Sequence, residues 1–177
     1  MTILAFDTAT TFGAVAAVTT GGRARRPKAG DLLAAVDELV GDPGELEAIV
    51  VGRGPGSFTS IRIGLAMAQT LADTLGVPLR GASTLDAFAG GMPVLDARRN
   101  EVFTVGPTVA RPEDLDVQGQ TLVGDGALRY RSLFEERGAA IPPDDDERHV
   151  PDPLRLVDSA TDDYTPLYVR DPDAKPQ

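Results

Sequence analysis

A strand, a glycine-rich loop and a long helix follow one another between Ala48 and Leu75. Ala48 to Val51 is apolar throughout and predicts a buried strand, which the loop GRGPGSFT follows. Ser60 to Leu75 has apolar residues at helical spacing, and Gly76 predicts the end of that helix. Leu79 to Ala82 predicts the next strand. Such an alternation of strands and helices requires a sheet with helices packed against it.

Short apolar runs precede this block. Ile3 to Phe6 and Ala14 to Val18 predict two strands joined by the polar turn DTATTFG, and a third strand is predicted at Gly22 to Arg25. Asp31 to Val40 has apolar residues at helical spacing and predicts a helix. The order is therefore β-β-β-α-β-α-β, a meander followed by an alternation of helix and strand. It is similar to the RNase-H-like half of the actin-type folds.

The rest of the chain predicts a second, shorter half. Its predicted elements are strands at Pro93 to Asp96 and Glu101 to Val105, a helix at Leu128 to Arg137 and a last strand at Leu167 to Val169. Gly90 and Gly91 predict a boundary between an N-terminal half, residues 1–90, and a C-terminal half, residues 91–177. The predicted fold class is α/β, an actin-like fold of two RNase-H-like halves with the second half reduced. We expect the tail from Asp171 to be mobile.

The net charge of the chain disfavours binding to nucleic acid. The formal net charge is −10, and residues 101–177 carry 17 acidic against 8 basic groups, whereas residues 1–100 carry 10 against 9. Because polyanion binding depends on neutralising phosphates, a chain this acidic is a poor binder of nucleic acid by itself. The basic cluster of Arg23, Arg25, Arg26 and Lys28 is open to two interpretations, a solvated loop or an electrostatic contact.

The chain has no cysteine and one histidine. Disulfides, a thiol nucleophile and cysteine-ligated zinc are therefore excluded, which fits a reducing compartment. His149 lies in an acidic, proline-rich loop, and we interpret it as a solvated side chain rather than a metal ligand or a member of a triad. The N-terminus lacks a basic leader, and no apolar run reaches the roughly 18 residues of a membrane span. These features predict a cytoplasmic protein without a membrane segment.

Three interpretations of the glycine-rich loop remain open. Its glycines allow a close approach of backbone, and the helix that follows has free N–H groups at its N-terminus, as an anion site requires. The lysine and hydroxyl residue of a Walker A loop are missing. The loop is an anion site, a structural turn or a partner contact, with Arg53 and Arg62 available to pair with an anion or a carboxylate.

The helix after the loop is apolar on more sides than a single sheet covers. Small residues recur in it at four-residue intervals, at Gly64, Ala68 and Ala72, and they suit the close approach of another helix. Burial under the chain's own second half is the alternative. On the first interpretation, we expect Ala68→Arg to abolish pairing with a partner and to leave the fold intact.

Polar residues in three turns suggest other chemistry. Asp7, Thr8 and Thr10 sit where actin-fold ATPases and sugar kinases place a hairpin around metal-bound phosphates. The GDG sequence of residues 124–126 is either an approach to a nucleoside or a turn between a strand and a helix. In DARRNEVF, charges that alternate in sign across a predicted hairpin turn indicate a salt-bridge ladder at a surface or interface.

Several segments together resemble the TsaB (YeaZ) family: ILAFDTAT, GRGPGSFTSIRIGLAMAQTLA, STLDAFA, DARRNEVF and the terminal PLYVRDPDA. The resemblance implies a non-catalytic partner subunit of TsaD, which transfers threonylcarbamoyl to tRNA to form N6-threonylcarbamoyladenosine. It also implies helix pairing with TsaD, a homodimer through the same surface, contact with the ATPase TsaE through the complex, and only indirect contact with tRNA. It implies no catalytic residue, metal site or cofactor of the chain itself. ATP or ADP at the complex interface would belong mainly to the partners.

The resemblance also implies which residues meet the partner. They lie on the two helices of the first half and at the loop edge: Leu33, Val36, Arg53, Arg62, Gly64, Met67, Ala68 and Leu71. Asp7, Thr8 and Thr10 then form a vestigial nucleotide loop. The alternative function is an actin-fold, ATP-dependent phosphotransferase that uses these three residues around a magnesium nucleotide. A metallopeptidase is contradicted by the histidine inventory, because GDLLAAVDELV lacks the paired histidines of TsaD-type proteins.

Overall fold

The computed structural model describes residues 1–20, 23–25 and 31–170. Two predictions lie outside the described residues and side chains. They are the contacts of the basic cluster at residues 23–28 and the mobility of the tail from Asp171. The strands are β1 Ile3–Asp7, β2 Val15–Val18, β3 Arg23–Arg25, β4 Ala48–Gly52, β5 Leu79–Ala82, β6 Met92–Asp96, β7 Val102–Thr104, β8 Thr108–Ala110 and β9 Leu122–Val123. The helices are α1 Leu32–Val40, α2 Phe58–Leu75, α3 Asp125–Arg129, α4 Arg131–Glu136 and α5 Leu156–Ser159.

The first sheet has the strand order β3-β2-β1-β4-β5. β1 pairs antiparallel with β2 and parallel with β4, and β4 pairs parallel with β5. The predicted order β-β-β-α-β-α-β is therefore confirmed. Helix α2 begins at Phe58, two residues before the predicted start at Ser60, because the Ser57 side chain caps it. It ends as predicted at Gly76, which takes the left-handed conformation.

Both faces of the first sheet are buried. Side chains alternate along β1, so that Leu4 and Phe6 pack beneath α1 and α2 while Ile3 and Ala5 face the opposite side. The opposite side is covered by the second half and by α5, whose Leu156 is fully buried. A strand that is covered on both faces has to be apolar throughout, which is why β1 and β4 read as continuous apolar runs.

The second sheet has the order β8-β7-β6-β9, with β6 antiparallel to β7 and parallel to β9. Leu95 and Phe103 point into the core shared with the first half, whereas Val94 and Val102 pack against α3, α4 and the neighbouring loops. The two halves are therefore joined by one continuous apolar core. The first sheet lies within residues 1–90 and the second within residues 91–177, and the domain boundary itself stays a prediction.

Two predicted elements of the second half differ in the structure. The helix predicted at Leu128 to Arg137 is two helices, α3, which begins earlier at Asp125, and α4, and Tyr130 separates them. The strand predicted at Leu167 to Val169 is wrong. This stretch crosses the loop after β4 instead of lying along a strand, and Leu167 donates one backbone hydrogen bond to the carbonyl of Arg53 at 2.7 Å.

Candidate functional site

Helices α1 and α2 cover the same face of the first sheet and leave their outer sides uncovered. Leu33 on α1 and Ile63 on α2 are each 60% exposed. Ile63, Met67 and Leu71 follow one another at four-residue intervals, so they form one apolar stripe along α2, in which Met67 and Leu71 are half-buried. We call Leu33, Ile63, Met67 and Leu71 the outer stripe. An apolar surface of this kind is typical of a docking site.

The small residues of α2 face the chain's own core. Ile61, Gly64, Ala68 and Ala72 are buried against the first sheet, and a Cβ at Gly64 would collide with the Thr8 hydroxyl. The prediction that this small-residue stripe receives a partner helix is therefore wrong: it allows α2 to approach the β1–β2 turn. Val36 of α1 is buried in the same core, so Val36, Gly64 and Ala68 are corrected from partner contacts to core residues.

The two arginines predicted at the loop edge have different roles. The exposed Arg62 guanidinium lies 5.5 Å from the centroid of the Phe58 ring, a cation–π contact. Arg53 is occupied within the chain, since its Nη1 lies 3.0 Å from the Asp163 carboxylate and donates to the carbonyl of Thr165 at 3.2 Å. Hydrogen bonds from Thr165, together with the Arg53 charge, lower the pKa of Asp163. Arg62 is the arginine at this edge that remains open to a partner.

The predicted nucleotide loop is turned into the protein. Asp7 is fully buried, and its carboxylate accepts from the N–H of Ala9 at 2.7 Å and from the hydroxyl of Thr84 at 2.6 Å. Burial raises the pKa of Asp7. The hydroxyl of Thr8 donates to the carbonyl of Ser60 at 2.7 Å, and the Thr10 hydroxyl is buried without a partner. Thr8 thus ties the β1–β2 turn to α2, and Asp7 ties the end of β1 to Thr84, an arrangement that does not favour a phosphotransferase.

A cleft of about 470 Å³ lies between the two halves. Its walls are the β1–β2 turn, the start of α2, the β6–β7 hairpin and residues 167–170. Asp125 closes one end of it. The Asp125 carboxylate accepts from the Thr11 hydroxyl at 2.6 Å and the Thr11 N–H at 3.1 Å, and its other oxygen accepts from the N–H of Asp96 at 2.9 Å. One carboxylate thus connects the turns of both halves.

The β6–β7 hairpin turns through three successive left-handed residues, Arg98, Arg99 and Asn100, with φ of 61°, 54° and 59°. The salt-bridge ladder predicted in DARRNEVF is present in part, because Asp96 lies 3.7 Å from the Arg98 guanidinium. Other pairs reach beyond the hairpin. Asp96 also lies 3.6 Å from Arg129 of α3, and Glu101 pairs with Arg170 near the end of the described chain.

Comparison with known proteins identifies relatives of this chain. A family profile described as TsaD, tRNA N6-adenosine threonylcarbamoyltransferase, matches residues 29–126, which are 98 of the 177 residues. Proteins named tRNA threonylcarbamoyladenosine biosynthesis protein TsaB are similar to it. That of Haemophilus influenzae is 33% identical over 58% of this chain and 52% of its own length, and that of Bacillus subtilis is 40% identical over 40% and 36%. YeaZ from Pseudomonas aeruginosa superposes with a TM-score of 0.73 at 25% identity, over 94% of this chain and 99% of that one.

The chain belongs to the TsaB/YeaZ family. An uncharacterised protein of Mycobacterium tuberculosis is 36% identical over 99% of this chain and 94% of its own length. The likeness to YeaZ confirms the predicted fold class, so the two sheets with their helices are the two RNase-H-like halves of an actin-like fold. No helix in the described ranges is long and apolar enough to cross a membrane.

The burial of His149 in this TsaB/YeaZ family member contradicts the interpretation made from the sequence. His149 is fully buried, not solvated. Its Nδ1 accepts from the N–H of Gly124 at 3.2 Å, so Nε2 carries the proton and donates to the carbonyl of Pro142 at 3.1 Å. The short turn Glu147–His149 folds the ring inward while its acidic neighbours stay at the surface. Across residues 1–20 and 31–170, no group of three or more potential ligands could hold a metal.

Three residues of the outer stripe and the cleft of this TsaB/YeaZ family member are not among the predicted site residues. Ile63 belongs to the outer stripe, and its spacing from Met67 and Leu71 indicates an additional apolar side of the helix, although Ile63 is not among the predicted contact residues. The sequence indicates for Asp125 either an approach to a nucleoside or a turn, and for Arg170 a place in the tail motif, but it indicates the partners of neither residue. Their partners are far away in sequence, as with Thr11 and Asp125, which are 114 positions apart, so no local pattern could have revealed them.

Proposed function

We propose that this TsaB/YeaZ family member is the non-catalytic partner subunit of a TsaD-type threonylcarbamoyltransferase in the formation of N6-threonylcarbamoyladenosine in tRNA. The outer stripe carries the proposal, since the chain leaves Leu33 and Ile63 largely exposed on the helix layer of its first half. The TsaB names of its relatives support the pathway. A helix with an uncovered apolar stripe is stabilised by pairing with the apolar face of another helix.

The chemistry of the chain supports an accessory role rather than catalysis. Both oxygens of the Asp7 carboxylate are hydrogen-bonded within the protein, and the net charge of −10 disfavours direct tRNA binding. In this proposal the partner contacts the tRNA in the cytoplasm. ATP or ADP at the complex interface then belongs mainly to the TsaD-type subunit and to a TsaE-type ATPase. A homodimer through the outer stripe competes with the heterodimer.

The first test is size-exclusion chromatography with light scattering on a mixture of the chain and the TsaD-type protein of the same organism. We expect a 1:1 complex, and we expect Ile63→Asp to abolish it because the charge has to be desolvated at the contact. Val105→Asp is the matched control, since Val105 is 51% exposed in the turn after β7, in the other half. The interface assignment fails if Ile63→Asp pairs as well as Val105→Asp does.

The second test is an assay of threonylcarbamoyl transfer to tRNA by the partner proteins. We expect activity to depend on this chain, to be lost with Ile63→Asp and to be kept with Val105→Asp. Full activity without the chain would contradict the accessory role. Transfer or ATP hydrolysis by the isolated chain would instead favour an enzyme.

A further inference from the structure

Residues 161–170 form an extended segment, here called the strap, that runs from the edge of the first sheet to the β6–β7 hairpin. At one end, Thr161 and Gly81 exchange two backbone hydrogen bonds of 2.9 Å. At the other end, Arg170 donates to the carbonyl of Ala97 at 2.9 Å and pairs with Glu101. Between these ends, residues 167–170 form one wall of the cleft. The strap therefore covers one side of the cleft and touches both halves.

Arg53 anchors the middle of the strap. Its guanidinium pairs with Asp163 at 3.0 Å and donates to the carbonyl of Thr165, while its own carbonyl accepts from the N–H of Leu167 at 2.7 Å. Beyond this anchor, the Tyr168 ring packs on the Phe58 ring with centroids 4.7 Å apart. Arg53 thus commits its side chain and its backbone to the same segment.

Two glycines of the first half make room for the strap. A Cβ at Gly81 would lie 2.5 Å from the carbonyl oxygen of Asp163 and 2.7 Å from the Cα of Tyr164. A Cβ at Gly54 would lie 2.9 Å from the carbonyl oxygen of Leu167. Distances this short exclude any side chain while the strap is bound. The first half is therefore shaped to receive the strap backbone.

The strap nevertheless buries little of its own surface. Residues 161–166 and Tyr168 are exposed, and Leu167, Val169 and Arg170 are only partly buried. Exposed ion pairs such as the one between Arg80 and Asp162 contribute little free energy and weaken with salt. Segments held by few apolar contacts open locally under conditions in which the rest of the protein stays folded.

We propose that the strap is a detachable cover of the cleft. The whole strap detaches from Arg53 and uncovers the cleft, while the shared core holds the two halves in place. It determines when a ligand can reach the cleft. The proposal does not depend on the proposed function. Its basis is the combination of a shaped receiving surface, the anchoring of the middle of the strap by Arg53, and little buried area.

Hydrogen exchange on the full chain tests the release. Gly81→Ala adds a methyl group that collides with the strap, and Asp163→Asn weakens the anchor without a collision. We expect each change to speed exchange at the amides of Thr161 and Leu167 by about tenfold or more, with unchanged exchange in β1 and β4. Gly44→Ala, in an exposed turn away from the strap, is the control. Unchanged strap amides, or strap and β1 amides that speed up together, would overturn the proposal.

A single thiol tests the covering of the cleft. The sequence has no cysteine, and Thr10 lines the cleft, is 7% exposed and has a hydroxyl without a partner, so Thr10→Cys loses no hydrogen bond. We expect iodoacetamide to modify this cysteine about tenfold faster when Asp163→Asn is added than in its absence. Equal rates in a chain whose strap amides are released would show that the strap does not control access.

Discussion

The Asp125 carboxylate accepts two hydrogen bonds from Thr11, one from the hydroxyl at 2.6 Å and one from the backbone N–H at 3.1 Å. Thr11 belongs to the first half and Asp125 to the second. Because the same carboxylate also binds the N–H of Asp96, it holds the turns of both halves at one end of the cleft. Three donors therefore depend on one side chain.

We expect Asp125→Ala to lower the free energy of unfolding by about 3 kcal/mol or more, because three hydrogen bonds to a carboxylate are lost and each is worth roughly 1.5–3 kcal/mol. Asp116→Ala, at an exposed aspartate, should change it by less than about 0.5 kcal/mol. Urea denaturation of both variants measures the difference. Equal denaturation midpoints would mean that water replaces the carboxylate at no cost.

The ionisation of Asp7 should make stability depend on pH. Burial raises the pKa of Asp7 above its ordinary value of 3.8, so the folded chain binds this proton more tightly than the unfolded chain does. The stability contributed by the group is therefore fully present below pH 3.8 and is lost as the pH rises through the raised pKa. We expect the free energy of unfolding of the natural chain, minus that of Asp7→Asn, to fall as the pH is raised from about 4 to about 8. A difference that stays constant would contradict a raised pKa.

Ala68→Arg should destroy the fold rather than only the pairing with a partner. Ala68 has no exposed surface, so the variant places a large charged side chain against the first sheet, at a cost of several kcal/mol. Gln69→Arg adds the same charge at the adjacent, exposed position of α2 and should cost less than about 0.5 kcal/mol. Circular dichroism during heating separates the two. A folded, merely unpaired Ala68→Arg would restore the original interface hypothesis.

His149→Ala should lower the free energy of unfolding by about 2–4 kcal/mol, because it leaves the Gly124 N–H and the Pro142 carbonyl buried without partners. His149→Gln retains a donor and an acceptor and should lose less. Chemical denaturation of both variants gives the comparison. If the alanine variant is as stable as the glutamine variant, the two hydrogen bonds contribute nothing net.

The order of strands and helices could be predicted because it depends on local patterns. Apolar runs, helical spacing and stop signals such as Gly76 act within a few residues, and the structure confirms them. What could not be predicted is which side of α2 faces inward. Its apolar residues occupy several sides, and the contact between Gly64 and Thr8 selects the small residues for the sheet. Ile63 is consequently left exposed, with Met67 and Leu71 partly buried beside it.

The burial of polar side chains could not be predicted from the sequence either. His149 has acidic and proline neighbours, which are typical of exposed loops, yet its ring is enclosed by Gly124 and Pro142 from other segments. Asp7 resembles a ligand-binding carboxylate because it sits where actin-fold ATPases and sugar kinases place a hairpin around metal-bound phosphates. Its true partner is the Thr84 hydroxyl, 77 residues away, and a contact of that range leaves no periodic signal.

The position of Leu156 has a consequence for the order in which the molecule is made. Leu156 completes the core beneath Ile3 and Ala5, although it is synthesised more than 150 residues after them. A nascent first half emerging from the ribosome can pair its strands and pack α1 and α2, but the other face of its sheet stays bare. That face is sealed only when the region around Leu156 has left the exit tunnel. Native packing of the earliest strands therefore has to wait until α5 has been synthesised.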